Sequence, residues 1–141
     1  MKLAIEGILK KPHGKEKHWA IGVPLLGIYT QGRSKNDALR MIEDAVENAV
    51  EMKGFKVEAQ ATGDETFALS ANDFKVLLGF LLKQQRSSKK LSLRKVSDKL
   101  GSTSPNAFTR YEKAKANTTL EKLAELMGAV SEDKFLLLKT G

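Results

Sequence analysis

The sequence predicts an α+β protein: a small antiparallel sheet with one covering helix, followed by an all-α domain. Two observations lead to this fold class. Up to residue 71, apolar and polar residues alternate, although imperfectly, in short segments as in strands, apart from one helical segment. Beyond residue 71 the spacing changes to three and four, as in helices. The predicted domains are therefore residues 1–70 and residues 71–141.

Three short strands are predicted at the start of the chain. The first covers residues 2–10 and ends at the turn formed by residues 11–15, which contains Pro and Gly. The second covers residues 18–23 and is stopped by Pro24, and the third covers residues 27–32. Because the connections between them are short, we expect the three strands to pair as an antiparallel meander.

A helix is predicted after these strands. Ser34 and Asp37 have the three-residue spacing of a capping box, and the carboxylate favours the positive end of the helix. Apolar residues then recur every three or four positions along one face, and Gly54 is placed as the C-terminal cap. Two further strands, residues 55–61 and 66–69, complete the sheet that this helix covers.

Four helices are predicted in the second domain. Residues 74–85 carry one apolar stripe, and the polar run at residues 87–90 interrupts it. Ser92 is placed to cap the next helix, a third runs from about residue 104 to residue 113, and Thr119 is placed to cap a fourth. Such short helices with polar connections form a small bundle.

The second and third of these helices have the parts of a helix-turn-helix: a short helix, a turn with Gly101, and a helix with short polar residues at its start. Phe108 and Tyr111 are expected to anchor this second helix inward. Its outward side chains can then reach base edges, since Asn pairs with adenine and Arg with guanine through two hydrogen bonds. The residues predicted to contact DNA are Arg94, Lys95, Thr103, Ser104, Asn106, Thr109, Arg110 and Lys113.

The distribution of charge supports a polyanionic partner. The net charge is +7, yet residues 1–71 hold ten basic and ten acidic residues, whereas residues 72–141 hold fourteen basic and seven acidic ones. Between residues 83 and 115, ten basic residues stand against Asp98 and Glu112 alone. Such a surface attracts phosphates and gains affinity by releasing their counterions. A helical interaction bundle with solvated charges is the alternative interpretation.

Glu112 lies within this basic stretch, where a free carboxylate would repel phosphates. We therefore expect a structural role for it, with the carboxylate paired inward to Arg110, to Lys113 or to an amide of the bundle.

These motifs resemble a known family. The C-terminal half is similar to the Xre or lambda-repressor-like helix-turn-helix of HicB antitoxins. That similarity lies in residues 91–130, above all Lys99-Leu100-Gly101, Ser104 to Glu112, and Leu120-Glu121-Lys122-Leu123. The N-terminal half resembles the HicB partial RNase H-like fold, through His18 to Pro24, Gly27 to Gly32, and Ala38-Leu39 with its capped helix.

The resemblance implies an antitoxin of a type II toxin–antitoxin system. Its N-terminal domain would bind and neutralise a HicA-like ribonuclease toxin. Its helix-turn-helix would repress its own operon on double-stranded operator DNA, as a homodimer or a larger homo-oligomer. Because such a toxin is basic, the acidic face of the predicted helix is a candidate toxin-binding surface. That face consists of Glu43, Asp44, Glu47 and Glu51.

No catalytic activity, metal or cofactor is expected. The chain has no cysteine, and His13 and His18 lack further ligands at metal-binding spacing. The acids of the first domain lie on a solvated helix face and do not converge as a two-metal nuclease requires. The N-terminus has no signal-peptide pattern, and no apolar run approaches membrane-spanning length. These features predict a cytoplasmic location and no membrane partner.

Two alternatives remain at this stage. The first is a transcriptional regulator whose N-terminal domain senses a small ligand, which an apolar pocket under Trp19 would favour. The second is a magnesium-dependent nuclease. Residues 135–138 are apolar and are either a terminal strand or a segment buried at a dimer seam.

Overall fold

A computed structural model of the chain describes residues 2–102, 104, 106–131 and 137–140. Within these ranges the structure is mixed α/β, with six strands and five α-helices. Every strand pair is antiparallel. None of the described helices combines the length and the apolarity needed to cross a membrane.

The strands are β1 Lys2–Lys10, β2 Trp19–Val23, β3 Ile28–Gly32, β4 Val57–Ala61, β5 Thr66–Ala71 and β6 Leu137–Thr140. They form one sheet, in the order β3-β2-β1-β5-β4, with β6 also paired to β1. The predicted meander of the first three strands is confirmed, because β2 pairs with both β1 and β3. Ala4 and Ile5 pair with both β5 and β6, so β6 lies on the side of β1 that β2 occupies further along.

Helix α1, Lys35–Val50, covers one face of this sheet. Its apolar stripe is buried through Ala38, Ile42 and Val46. The helix contacts both edge strands, β3 and β4, so the sheet curls around it as a half-barrel. Gly32 allows the close approach on the β3 side, because a Cβ atom there would lie 2.3 Å from the backbone nitrogen of Ala38.

The two ends of α1 differ in how well the sequence predicts them. The Ser34 hydroxyl accepts a hydrogen bond from the Asp37 amide at 3.0 Å, which confirms the N-terminal cap. The predicted C-terminal cap, Gly54, is wrong. The helix ends three residues earlier, where Glu51 takes the left-handed conformation with φ 55°. The chain turns early because Phe55 and the strand after it must return to the core.

The remaining helices surround a second core. The first of these four helices buries Leu77, Leu81 and Leu82, and later ones bury Val96 and Leu126. The bounds are α2 Phe74–Ser88, α3 Leu93–Lys99, α4 Ala107–Glu112 and α5 Leu120–Val130. These are the four helices that the spacing of apolar residues predicts.

Helix α4 starts later than the sequence predicts, at Ala107 and not near Ser104. The Ser102 hydroxyl accepts a hydrogen bond from the Ser104 amide, and the Ser104 hydroxyl accepts one from the Asn106 amide, each at 3.2 Å. Such local side-chain bonds compete with helical ones, which explains why the helix begins only at Ala107.

The chain divides into two compact units, which differ from the predicted domains in two places. The helical unit begins at residue 75, not 71, and β6 belongs to the sheet unit although it follows the helices in sequence. Leu137 and Leu138, which belong to the segment predicted as a terminal strand or a dimer seam, are half-buried in this strand. Phe135 and Leu136 lie outside the described residues.

Candidate nucleic-acid interface

Helix α4 and the residues that flank it carry three polar or basic side chains: Asn106 at the N-cap, Arg110 within the helix and Lys113 at the C-cap. Asn106, Arg110 and Lys113 are all exposed. Their separations of four and three residues place them next to one another along a helix surface. The amide and the guanidinium are the groups that recognise adenine and guanine, and the ammonium is suited to a phosphate.

The opposite face of α4 is anchored in the core of the helical unit. Phe108 is fully buried and Tyr111 is half-buried, as the sequence predicts. Burying a Phe side chain contributes roughly 1.5–3 kcal/mol, so this ring holds the short helix against its neighbours. The exposed face therefore projects from a fixed support.

A buried ion pair adds a second anchor. Arg86, in the last turn of α2, donates hydrogen bonds from Nε and Nη2 to the two carboxylate oxygens of Glu112, at 2.6 and 3.2 Å. Its Nη1 also donates to the Leu91 carbonyl at 3.0 Å. Glu112 therefore has the structural role that the sequence predicts, but its partner is neither Arg110 nor Lys113. The sequence does not reveal the partner because the two residues are 26 positions apart.

Helix α2 passes very close to the end of α4. A Cβ atom on Gly79 would lie 2.5 Å from the Glu112 carbonyl oxygen and 2.7 Å from that of Tyr111. Any side chain at this position would push the two helices apart. Gly79 and Arg86 are thus two contacts of α2 that set the position of α4.

Helix α3 contributes the other exposed basic residues. The Ser92 hydroxyl accepts a hydrogen bond from the Lys95 amide at 3.1 Å, which confirms the predicted cap. Arg94 and Lys95 in the first turn are exposed, whereas Val96 and Ser97 are buried. Since α3 and α4 contact each other, these basic side chains belong to the same unit as the face of α4.

Three further predicted DNA contacts belong to α4 or to the residues just before it in sequence. The hydroxyl of Thr109 is buried without a hydrogen-bond partner among the described residues, so its predicted outward orientation is wrong. Its position in the helix explains this, since it lies between Phe108 and Glu112, which both face the core. Ser104 is exposed, as predicted. Thr103 lies outside the described residues.

The acidic face of α1 supports the fold with two of its four carboxylates. Glu43 accepts a hydrogen bond from the Ala59 amide at 2.8 Å, and Glu47 accepts one from the Val57 amide at 3.0 Å. Both amides belong to β4, the edge strand, so the two side chains occupy the place of a further strand. Asp44 and Glu51 are exposed and remain accessible.

The other candidate site residues are not brought together. His13 and His18 are exposed, and no group of three His, Cys, Asp or Glu side chains in the described ranges is arranged to hold a metal ion. A depression of about 560 Å³ lies where α1 ends, lined by residues 47–48 and 51–56. Trp19, half-buried on β2, does not line it.

One sequence signal indicates that Arg86 has a buried partner, although it does not identify Glu112. Leu78, Leu82 and Arg86 are spaced by four residues, so the arginine continues the buried stripe of α2. A charged residue on such a stripe indicates a buried partner of opposite charge, because an unpaired buried charge is costly.

Comparison with known proteins gives no further information: the sequence matches no protein-family model and no curated protein.

Proposed function

We propose that the protein is a transcriptional regulator in which α3 and α4 form a helix-turn-helix that binds double-stranded DNA. One observation carries this proposal: Asn106, Arg110 and Lys113 are exposed at the N-cap, within and at the C-cap of a short helix that the buried Phe108 fixes on its other side. A single helix fits the major groove of B-form DNA, where amide and guanidinium groups distinguish base pairs. In this arrangement Arg94 and Lys95 contact phosphates.

The shortness of α4 bears on the form of the DNA site. A helix of six residues contacts few base pairs, so sequence specificity requires a second recognition helix. Two copies of the chain would supply it on a palindromic operator, with the half-sites about one helical turn apart. Repression of the protein's own operon follows if this operator overlaps the promoter.

The resemblance to HicB antitoxins supports a second part of the proposal. The sheet unit binds a HicA-like ribonuclease toxin in the cytoplasm and covers its active surface. Among the acids of α1, Asp44 and Glu51 are the accessible ones and are assigned to this contact. Glu43 and Glu47 are assigned to the fold, because their carboxylates bind the amides of β4.

DNA binding is tested with duplex DNA selected from random sequence by the full chain. Asn106→Ala and Arg110→Ala are expected to weaken binding to this duplex by about 1–3 kcal/mol for each lost base contact. Lys113→Ala is expected to lower the salt dependence with little change in sequence preference. Lys83→Ala, which removes an exposed positive charge from α2, serves as the control.

Two outcomes would contradict the assignment. The first is the absence of any salt-sensitive binding to duplex DNA. The second is equal affinity of the Asn106→Ala, Arg110→Ala and Lys83→Ala variants for the selected duplex. Fluorescence anisotropy at several salt concentrations separates the two outcomes.

The antitoxin role is tested by expressing the native operon and identifying the protein that co-purifies with the chain. A small ribonuclease whose activity the purified chain inhibits is the expected result. The charge reversals Asp44→Lys and Glu51→Lys are then expected to weaken the complex, since they oppose a basic partner. Unchanged affinity would exclude this face of α1 as the contact, and the absence of a ribonuclease partner would exclude the antitoxin role.

A further inference from the structure

The loop between β1 and β2 is a basic, exposed segment of the sheet unit. Lys10, Lys11, Lys15 and Lys17 are all exposed, and between residues 10 and 18 Glu16 is the one acidic residue. Across residues 1–71 the basic and acidic residues are equal in number, so this segment is a local concentration of positive charge.

The loop has a defined backbone. Lys10 pairs with Ala20, and the chain turns beyond this pair through Gly14, which has φ 55°. The Glu16 amide donates a hydrogen bond to the His13 carbonyl at 2.9 Å, which closes the turn. The lysines are thus carried on a hairpin and not on an open coil.

The topology places further basic residues at the same end of the sheet. Trp19, at the end of the hairpin loop, pairs with Gly32, which Arg33 and Lys35 follow within three residues. The ammonium of Lys35 donates a hydrogen bond to the Gly63 carbonyl at 3.2 Å, so the turn between β4 and β5 lies at this end too.

The acidic residues at this end do not balance the basic ones. Asp64 and Glu65 follow Gly63 in the turn, and the Glu65 carbonyl accepts a hydrogen bond from the Leu9 amide at 2.8 Å. Together with Glu16 they make three carboxylates against six basic side chains. Asp37 lies nearby, but its carboxylate is paired with Arg40 at 3.0 Å.

We infer that this basic hairpin, Lys10 to Lys17 together with Arg33, binds the phosphodiester backbone of nucleic acid. The contact is independent of sequence and separate from the face of α4, and the inference does not rest on the proposed function. Exposed lysines on a hairpin loop suit it because phosphates are bound mainly through charge, and the released counterions add to the affinity. Duplex DNA and single-stranded RNA share this backbone, so both are probes in the test.

The test compares two double variants of the full chain that lose the same net charge. Lys11→Gln with Lys15→Gln removes two charges from the hairpin, whereas Lys2→Gln with Lys53→Gln removes two exposed charges elsewhere in the sheet unit. Each is measured by anisotropy against a random-sequence duplex DNA and a single-stranded RNA of equal length, over a range of salt concentrations. Circular dichroism and thermal unfolding check that each variant is folded.

The hairpin variant is expected to show a shallower plot of log affinity against log salt. If both lysines contact phosphates, the slope falls by about 1.8 for duplex DNA or about 1.4 for single-stranded RNA. For the duplex, the ratio of the affinity at 50 mM salt to that at 200 mM salt is then about tenfold smaller than in the original chain. The Lys2 and Lys53 variant is expected to keep the original slope, and Lys11→Arg with Lys15→Arg is expected to restore it. A change with one probe alone identifies which nucleic acid the hairpin binds.

The inference is overturned if the hairpin variant and its control have equal slopes with both probes. A third variant, Arg110→Gln with Lys113→Gln, separates this result from a failure of the proposed function. If this third variant still binds, and the binding disappears when the hairpin substitutions are added, the hairpin contact is supported whether or not α4 binds DNA. Complete loss of binding in the third variant, with no effect of the hairpin substitutions in the original chain, supports α4 alone and rejects the hairpin.

Discussion

The guanidinium of Arg86 and the carboxylate of Glu112 meet side-on through two hydrogen bonds, and their side chains are 18% and 7% exposed. Each charge compensates the other for the loss of hydration. The pair connects the last turn of α2 to the last residue of α4. The direction in which α4 presents its polar face therefore depends on a contact between distant parts of the chain.

Removing either partner of this pair should destabilise the protein strongly. Arg86→Ala or Glu112→Ala is expected to lower the free energy of unfolding by about 3 kcal/mol, because the remaining charge stays buried without a partner. The exposed pair of Lys122 and Glu125 is the control, and Glu125→Ala should cost less than about 1 kcal/mol. Urea denaturation measures both, and equal losses would show that burial of the first pair has no energetic effect.

Two glycines in helices should respond to alanine in opposite directions. Gly79→Ala places a methyl group against the backbone of α4 and is expected to destabilise by about 1–3 kcal/mol. Gly128, in α5, has open space around its Cβ position, so Gly128→Ala is expected to stabilise by up to about 1 kcal/mol through helix propensity. Thermal and urea unfolding of the two variants give the comparison. Stabilisation by Gly79→Ala would contradict the close approach of α2 and α4.

The carboxylates of α1 that bind β4 should protect its edge. Glu43→Ala and Glu47→Ala are each expected to lower the free energy of unfolding by about 1.5–3 kcal/mol, since each removes a hydrogen bond to a charged acceptor. Amide hydrogen exchange should speed up at Ala59 in the first variant and at Val57 in the second. Asp44→Ala, on the same helix but exposed, is the control. Unchanged exchange at both amides would show that neither hydrogen bond persists in solution.

The capping carboxylate of Asp37 should make stability depend on acid pH. It accepts hydrogen bonds from the Arg33 amide and from the Arg40 side chain. Both lower its pKa below the ordinary value, the Arg33 amide more than the Arg40 side chain. Because the pKa of Asp37 is lower in the folded state, its stabilisation is complete above the pKa that Asp37 has in the unfolded chain. It is lost as the pH falls through the folded pKa.

The Asp37→Asn variant tests this dependence. The difference in free energy of unfolding between it and the original chain is expected to shrink as the pH falls from the unfolded-state pKa of Asp37 through its folded-state pKa. A difference that stays constant with pH would show that the charge of Asp37 does not contribute.

The sequence predicts well those features that depend on residues close together in the chain. Ser34, Ser92 and Thr119 were each expected to cap a helix, and each hydroxyl accepts a hydrogen bond from the amide three residues later. Phe108 was expected to face the core of the helical unit and is fully buried. In these cases the spacing of residue types contains the necessary information.

The sequence predicts poorly the features that depend on tertiary packing. The acids of α1 have the pattern of a solvated face, yet Glu43 and Glu47 bind amides 16 and 10 residues away, which no helical periodicity reveals. The predicted outward orientation of Thr109 is wrong because the neighbouring Glu112 also faces inward, where it pairs with Arg86 of another helix. The sequence does not identify the partner of Glu112 either, because Arg86 lies 26 residues away along the chain.

The pairing of β6 with β1 makes the sheet unit discontinuous in sequence, since the helical unit is inserted between β5 and β6. A single protease cleavage between the two units would consequently leave β6 on the other fragment, held by its hydrogen bonds to β1. Fragments ending after β5 would expose the Lys2–Ile5 half of β1 as a new sheet edge, open to intermolecular pairing. Dissecting this protein into its two halves therefore requires a permuted chain in which β6 is joined directly to the sheet it completes.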